Sequence, residues 1–409
     1  MKVWILQTGE PLQIDNSGLR PMRAINLSTA LIERGHEVTL WSSDFDHFSK
    51  SHRFSSAKEL KLSESLTIRL VKSRGYKSHI GLSRLVDHGQ LGWNLRKCLR
   101  KETPPDVAFI GYPPIEPAWV MARWLKKRAT PFVLDVKDAW PSLLVEAFPK
   151  MAQFIVRILL HPYFIMMRST FTKANSLSSI SQDFLDWALE ISKIPKESPN
   201  MVVPLTSNEL IFSDSDVRDA AKWWDRIGIV NSEILTVYFI GSLTESFDFM
   251  PLIEVANALP IRLVIAGDGP KRTELLEISK GYPNIILPGW ISAVQSKVLA
   301  GRSHVAVAPV TQRMDFNMSI PNKFYDAMQH GVPMLTSIKG PAAEMLITHD
   351  IGMLYEGDTA SLKLVLERLL EYPALMIQMS SNARKLYEEK YRSVNVYGKL
   401  VQDLENLVL

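Results

Sequence analysis

One cysteine, Cys98, stands among 409 residues. No disulfide can form within such a chain and no thiolate metal cluster can be built, so a reducing, cytoplasmic setting is expected. Long apolar runs are scarce as well. The opening Met1–Gln7 soon meets Gly9, Glu10 and Pro11, with no cationic leader or small-residue cleavage site, and reads as a first strand rather than a signal peptide. The most lipid-like stretch, Phe154 to Met167, is broken by Arg157, His161 and Pro162. A spanning helix needs ~20 apolar residues, so this one does not span. Internal repeats and low-complexity tracts are absent, which removes solenoids and arrays. Histidines are sparse, and His47 and His52 read as solvated.

What is present is ordinary for a soluble protein: 46% hydrophobic and 22% charged residues. The length points to two domains. Charge is divided unevenly along the chain. Residues 1–205 hold 28 Lys and Arg against 19 Asp and Glu, a net +9, whereas residues 206–409 carry a net −5. Either the first half meets something anionic, or the excess serves solubility. Nucleic acid is not expected, because the basic half lacks the interleaved aromatics of a stacking platform.

Strand-then-helix units recur in two series. The first series places strands at Val3–Leu6, Glu37–Trp41, Thr67–Val71, Val107–Ile110, Phe132–Val136 and Leu177–Ile180. Helices fall between them, at Met22–Arg34 ending on Gly35, Arg84–Arg100, Ala118–Lys127, Phe154–Arg168 and Phe184–Ile191. Ile194 to Asn208 is rich in Pro, Ser and Asn and reads as a linker. The second series has strands at Leu235–Ile240, Arg262–Ala266, Ile285–Leu287, Val305–Ala308 and Met334–Thr336. Such alternation implies an α/β chain with a parallel sheet in each half. The expected domains are 1–205, 206–385, and a C-terminal helix, 386–409, that crosses back to brace the first. Parallel sheets bind ligands at the carboxyl ends of their strands, so chemistry is sought in the loops there.

Four segments of the second half fall at strand ends. Gly241 and Ser242 follow the first strand, where close backbone approach suits a pyrophosphate or simply a tight turn. Gly267-Asp268-Gly269-Pro270 is a double-glycine turn. Pro288-Gly289-Trp290-Ile291 puts an aromatic beside a glycine, either to border a nucleobase or to pack in the core. The fourth runs Met318-Ser319-Ile320-Pro321-Asn322-Lys323-Phe324-Tyr325-Asp326-Ala327-Met328-Gln329-His330-Gly331-Val332-Pro333. Pro321 suits a helix start and Gly331 its end. Lys323 and Asp326, three apart, share a helix face. A cation and free amides at a helix start favour phosphate, and a carboxylate one turn on can accept from ribose hydroxyls; the plainer alternative is a surface pair.

Taken in order, these segments resemble the GT-B glycosyltransferases, specifically the large retaining family 4. In the first half, Ala30-Leu31-Ile32-Glu33-Arg34-Gly35-His36-Glu37-Val38-Thr39 is similar to the family's first helix and second strand. Asp135-Val136-Lys137-Asp138-Ala139-Trp140-Pro141 resembles a segment of the subgroup that makes bacterial surface polysaccharides such as O-antigen. The resemblance implies two Rossmann-like domains facing across a cleft, the first for an acceptor and the second for a nucleotide-sugar donor, with UDP the expected nucleotide. It also implies retention of configuration, with hexosyl or N-acetylhexosaminyl transfer. Gly241, Ser242, Gly267, Ser319, Asn322 and Lys323 would hold the diphosphate, Asp326 the ribose, and Trp290 with Ile291 the base. Departures are specific. Relatives commonly carry two glutamates seven residues apart; Asp326 matches the second, and Met318 stands at the first. The usual loop Arg and Lys fall on or near Ser242 and Phe247, which leaves phosphate neutralisation to Lys323.

On the acceptor side Asp138 is the candidate catalytic residue beside Lys137, unless it merely caps the following helix. Gly18, Arg20 and Arg23, of the long first loop, are with Lys137 candidates to grip an anionic acceptor. The acceptor is expected to be a saccharide, free or linked to a polyprenyl diphosphate. Lys150 to Lys173 is basic and amphipathic. It fits either a membrane-surface segment, placing the protein at the inner face of the cell membrane, or a buried helical hairpin. Asp44-Phe45-Asp46 has a metal-like spacing, yet neither metal nor cofactor is expected where the protein itself balances the diphosphate. Two other readings remain open: a nucleotide-sugar 2-epimerase on the same scaffold, and an inactive binding scaffold, which Met318 favours. A nicotinamide dehydrogenase is disfavoured because the first loop lacks the Gly-x-Gly-x-x-Gly spacing.

Overall fold

Apolar β-branched runs bounded by amphipathic helices can bury both faces of a sheet only if the helices lie on either side of it, and both halves of the chain do this. The computed structural model describes all residues except 16–19, 57, 78–80, 147, 196–197, 312 and 409. It divides into Met1–Ser207 with Ser393–Leu409, and Asn208–Arg392.

The first unit opens with β1 (Lys2–Leu6), α1 (Arg23–Glu33), β2 (Glu37–Ser43), the short hairpin β3 (Phe45–Asp46) and β4 (Ser51–His52), then β5 (Lys58–Ser63) and β6 (Leu66–Val71). It continues with α2 (Leu82–Leu99), β7 (Val107–Tyr112), α3 (Ile115–Lys126), β8 (Phe132–Val136) and the helices α4 (Ser142–Glu146), α5 (Lys150–Leu159) and α6 (His161–Phe171). β9 (Ser176–Ser179), α7 (Gln182–Ser192) and β10 (Met201–Val202) complete its main body. The sheet order is β10-β9-β8-β7-β1-β2-β6-β5, parallel except for the antiparallel edge strand β5. β5 was not foreseen: Lys-Glu-Leu-Lys-Leu-Ser is polar and largely exposed, a charged edge that discourages further pairing. The helix expected over 154–168 is two helices, because Pro162 in the first turn of α6 has no N–H to continue the ladder.

The second unit contains α8 (Asp214–Arg226), β11 (Thr236–Ile240), α9 (Met250–Ala258), β12 (Arg262–Ala266), α10 (Arg272–Ile278), β13 (Ile285–Gly289), α11 (Ala293–Gly301) and β14 (Val305–Ala308). There follow α12 (Met314–Asn317), α13 (Asn322–Gln329), β15 (Met334–Thr336), α14 (Pro341–His349), β16 (Gly352–Leu354), α15 (Thr359–Glu371) and α16 (Ala374–Leu386). Its sheet is wholly parallel in the order β13-β12-β11-β14-β15-β16.

A π-turn at Tyr387–Tyr391 leads to α17 (Ser393–Asn406). The first unit's core on the α1 face takes Tyr397, Leu400, Val401 and Leu404 of α17 beside Leu27 and Leu31 of α1. Glu405 seals this contact, meeting Arg34 at 2.6 Å and His36 at 2.8 Å. The returning segment therefore starts at Ser393; residues 386–392 stay with the second unit, and the forward boundary lies at 207/208 rather than 205/206.

Candidate nucleotide site and the first unit's sheet edge

In each sheet the strand order reverses at one place, and there the loops on either side run in opposite directions and leave a crevice. For the second sheet this is between β11 and β14. The loop after β11 is stitched to its neighbour: Gly241 N–H donates to Ala266 O at 3.0 Å and Leu243 N–H to Asp268 O at 2.9 Å. Glycine is obligatory in this seam. A Cβ on Gly267, whose φ is +142°, would stand 1.8 Å from Gly241 O. The double-glycine turn is thus a backbone-to-backbone contact more than a ligand cradle.

Across the reversal, α13 brings Lys323 beneath the glycine loop. Its Nζ donates to Ile240 O at 2.6 Å, and it lies 4.5 Å from the Phe239 ring centre and 5.2 Å from that of Phe247. A Cβ on Gly241 would sit 2.0 Å from that amine. Burial pulls the Lys323 ammonium down to about 8, partly offset by Asp326 one turn along. Phe247 occupies the sequence position near which a loop lysine was expected, and the amine of Lys323 packs against its ring.

Pro321 precedes α13 without a side-chain cap, so the first amides of the helix, at Asn322 and Lys323, face its opening. The helix begins at Asn322 rather than at Pro321 itself. Asp326 is partly buried and acts electrostatically on Lys323, His330 and the Tyr238 phenol, which burial and Asp326 push well up. Ser319 is nearly buried, and Ser242 is exposed. Trp290 is 55% exposed at the end of the edge strand β13, so it is not a core residue, whereas Ile291 is 6% exposed. Both are separated from β11 by β12. One cation escaped the sequence reading: Arg313, in the loop after β14, donates to Ser246 Oγ of the glycine loop at 3.2 Å.

The first sheet reverses between β1 and β7. Its loops tell another story. Arg23 is buried, with Nε 3.2 Å from Asp135 Oδ2 and a guanidinium N–H on Val203 O at 2.7 Å. Lys137 Nζ bonds Glu10 and lies 3.6 Å from Asp135. Glu10 also accepts from Ala24 N–H, in the first turn of α1, at 2.8 Å, and Asp135 from Ser178 Oγ at 2.8 Å. Arg20 donates to Leu205 O at 2.8 Å. Arg23 and Lys137 balance protein carboxylates, and Arg20 and Arg23 tie the 203–205 segment to the first loop. Gly18 lies outside the described residues.

Asp138 stands two residues beyond β8, partly buried at the ligand edge. The next helix starts only at Ser142, so Asp138 does not cap it. Its charge, after burial and Glu116, helps push the Tyr112 phenol well up. Beside the reversal lies a cavity of about 60 Å³ lined in part by Thr8, His47, Tyr76, Asp87 and His88. His47 is partly buried and bonded to Tyr76 Oη, so it is not the solvated histidine expected; His52 is exposed. Burial, with the nearby charges of Arg84 and His47, holds His88 down at about 3. Asp44 Oδ1 accepts from Ser73 N–H at 2.8 Å, and Asp46 from Phe48 N–H at 2.9 Å. Their carboxylates hold the β3–β4 hairpin.

Residues 235–372 match the family model described as glycosyl transferases group 1. The matched segment lies within the second unit, and the glycine seam, Lys323, Arg313 and Asp326 all fall inside it. No curated protein sequence matches the chain significantly. Solved structures match it end to end. A sucrose-phosphate synthase from Thermosynechococcus elongatus superposes with a TM-score of 0.71 at 14% identity, covering 99% of this chain and 98% of that one. HepE of Anabaena, solved with UDP-glucose, gives 0.67 at 14% identity over 99% and 100%. WaaG, described as a glycosyltransferase involved in lipopolysaccharide biosynthesis, gives 0.64 at 15% identity over 99% of both chains. At such identities the likeness establishes the GT-B fold, two Rossmann-like domains. The segment similar to the group 1 model lies in the second of the two.

Proposed function

We propose that the chain is a glycosyltransferase that moves a hexosyl or N-acetylhexosaminyl group from a UDP-linked donor to a saccharide or lipid-linked saccharide, with retention, in the assembly of a surface polysaccharide. The observation that carries this reading is the Lys323 amine held at the end of β11 within the segment matched to the group 1 model, its hydrogen bond among the described residues going to the neutral Ile240 carbonyl. An ammonium there, the first amides of α13 and Arg313 meet a diphosphate without recourse to a metal ion, and each well-aimed donor contributes ~3–4 kcal/mol to a developing anion. Asp326 is the partner for the ribose hydroxyls, and Trp290 offers an exposed face at the edge to the base.

In the transfer step the bond between the anomeric carbon and the β-phosphate oxygen breaks as the acceptor oxygen bonds to that carbon from the same face. The acceptor proton passes to the departing phosphate oxygen, so no separate base is required. Asp138, from the first unit, orients the acceptor hydroxyl or favours positive charge on the sugar.

Thermal stabilisation by UDP, GDP, ADP and NAD tests the donor side, since a ligand at 100 times its dissociation constant adds ~2.7 kcal/mol to the folded state. UDP should raise the melting temperature most; a response to NAD alone would remove the assignment. A labelled donor sugar should appear in an acceptor product. Label that stays on the nucleotide as an epimer, or no turnover despite UDP binding, would favour the epimerase or the scaffold instead.

A further inference from the structure

Helix α5 has no buried residue at all. Met151, Phe154, Ile155, Ile158 and Leu159 are 95, 74, 60, 58 and 72% exposed. Their spacing of i, i+3, i+4, i+7 and i+8 aligns them as one continuous apolar stripe. Phe148, just ahead of the helix, and Ile165 on α6 extend it, at 49 and 55% exposure. A helix that only completed a helical hairpin would turn such a stripe inward. A soluble surface does not carry one without a partner.

The charges around the stripe identify that partner. Lys150 and Arg157, seven residues apart, run along one margin of it. Between Glu146 and Asp183 the sequence has no acidic residue, while it has Lys150, Arg157, Arg168 and Lys173. Behind the helix pair lies a cavity of about 390 Å³ lined by Arg157, His161, Phe164, Arg168, Trp187 and Ile191 among others, apolar in its walls and basic at two arginines. The exposed Arg157 has its guanidinium 5.6 Å from the Phe164 ring centre. No helix among the described residues is long and apolar enough to cross a membrane. An apolar stripe flanked by cations without anions is complementary to one thing in particular, a bilayer surface rich in anionic phospholipid.

We propose that α5 lies in the plane of an anionic membrane, with Met151, Phe154, Ile155, Ile158 and Leu159 in the acyl boundary and Lys150, Arg157 and Arg168 on headgroup phosphates. The first unit would then be held at the surface where a lipid-linked acceptor is found. The observations belong to the first unit alone and do not depend on the donor assignment.

Co-sedimentation of the full chain with vesicles tests it, using phosphatidylglycerol–phosphatidylethanolamine mixtures against neutral phosphatidylcholine. The chain should partition onto the anionic vesicles, and less so at high salt. The F154Q/I155Q/I158Q variant, altered only at exposed positions, should lose at least about a hundredfold in partitioning. K150Q/R157Q should lose about fivefold per charge on anionic vesicles and nothing on neutral ones. UDP-induced thermal stabilisation is read in parallel and should be unchanged in both variants, which separates failure of the docking surface from failure of the donor reading. Equal partitioning of parent and stripe variant would overturn the proposal. So would a parent that ignores vesicles but forms a dimer that F154Q/I155Q/I158Q dissolves, because the stripe would then belong to a second copy.

Discussion

The carboxyl edges of the two sheets both place cations beside strand ends, but they match them differently. In the first unit Arg23 and Lys137 face Asp135 and Glu10, so charge is balanced within the protein. In the second, the one hydrogen bond of Lys323 among the described residues goes to the neutral Ile240 carbonyl, and its nearest resolved electrostatic partner is Asp326. A cation already matched by a buried carboxylate secures the fold. One matched by a carbonyl keeps its charge for a ligand.

The sharpest way to break this comparison is to remove one cation from each edge. Arg23→Ala leaves Asp135 buried with only Lys137 nearby and should cost ~3–5 kcal/mol in urea unfolding. Lys323→Met should cost little stability, since replacing a buried charge by an apolar group of similar volume is often neutral. It should weaken UDP binding about a hundredfold in calorimetry, the size of one lost anion-stabilising donor. If the two variants exchanged these effects, the roles assigned to the two edges would be reversed.

A pH titration sharpens it further. Lys323 titrates at about 8 in the free protein, and a bound diphosphate must raise that value. Above pH 8 UDP binding should therefore take up a proton and weaken by up to about tenfold per pH unit. The check is calorimetry at pH 7 and 9 in buffers of differing ionisation heat; uptake should vanish in Lys323→Met. Glu116, in the first unit, behaves oppositely. Burial, with some repulsion from Asp87, lifts its carboxyl to about 7 although Tyr163 hydrogen-bonds it. Between the ordinary value of 4.5 and about 7 the folded chain keeps a proton that the unfolded chain has lost, so stability falls as pH rises. Glu116→Gln should add about 3 kcal/mol at pH 8 and nothing at pH 4, read from paired denaturation curves. The smallest effect is expected for Trp290→Ala: stability within about 0.5 kcal/mol, as for most surface changes, with a several-fold loss of UDP affinity. An unchanged affinity would remove Trp290 from the site.

Much of the architecture was legible because periodicity and punctuation are local signals. Gly35 does end α1, at φ +80°, and four of the five foreseen strands of the second half stop at glycine or proline, while the fifth, β15, starts just after Pro333. β16 escaped notice because Gly352-Met353-Leu354 is too short to carry a pattern. The pairing of Arg23 and Lys137 escaped the sequence for a different reason. Proximity to a ligand edge is visible in a sequence, but the Arg23–Asp135 and Lys137–Glu10 pairs join residues more than a hundred positions apart. Which cation is already matched depends on that distant pairing. Likewise the basic, apolar stretch around α5 was readable as amphipathic, while its unburied state was not.

The placement of α17 has a bearing on how the molecule is made. Its side chains complete the core that begins with β1 and α1, yet residues 208–392 intervene. During synthesis the leading domain must wait, unfinished, until its companion has left the ribosome, contrary to the usual order in which the N-terminal part settles first. Clipping at Arg392 would consequently unravel the segment translated earliest and spare the one translated next.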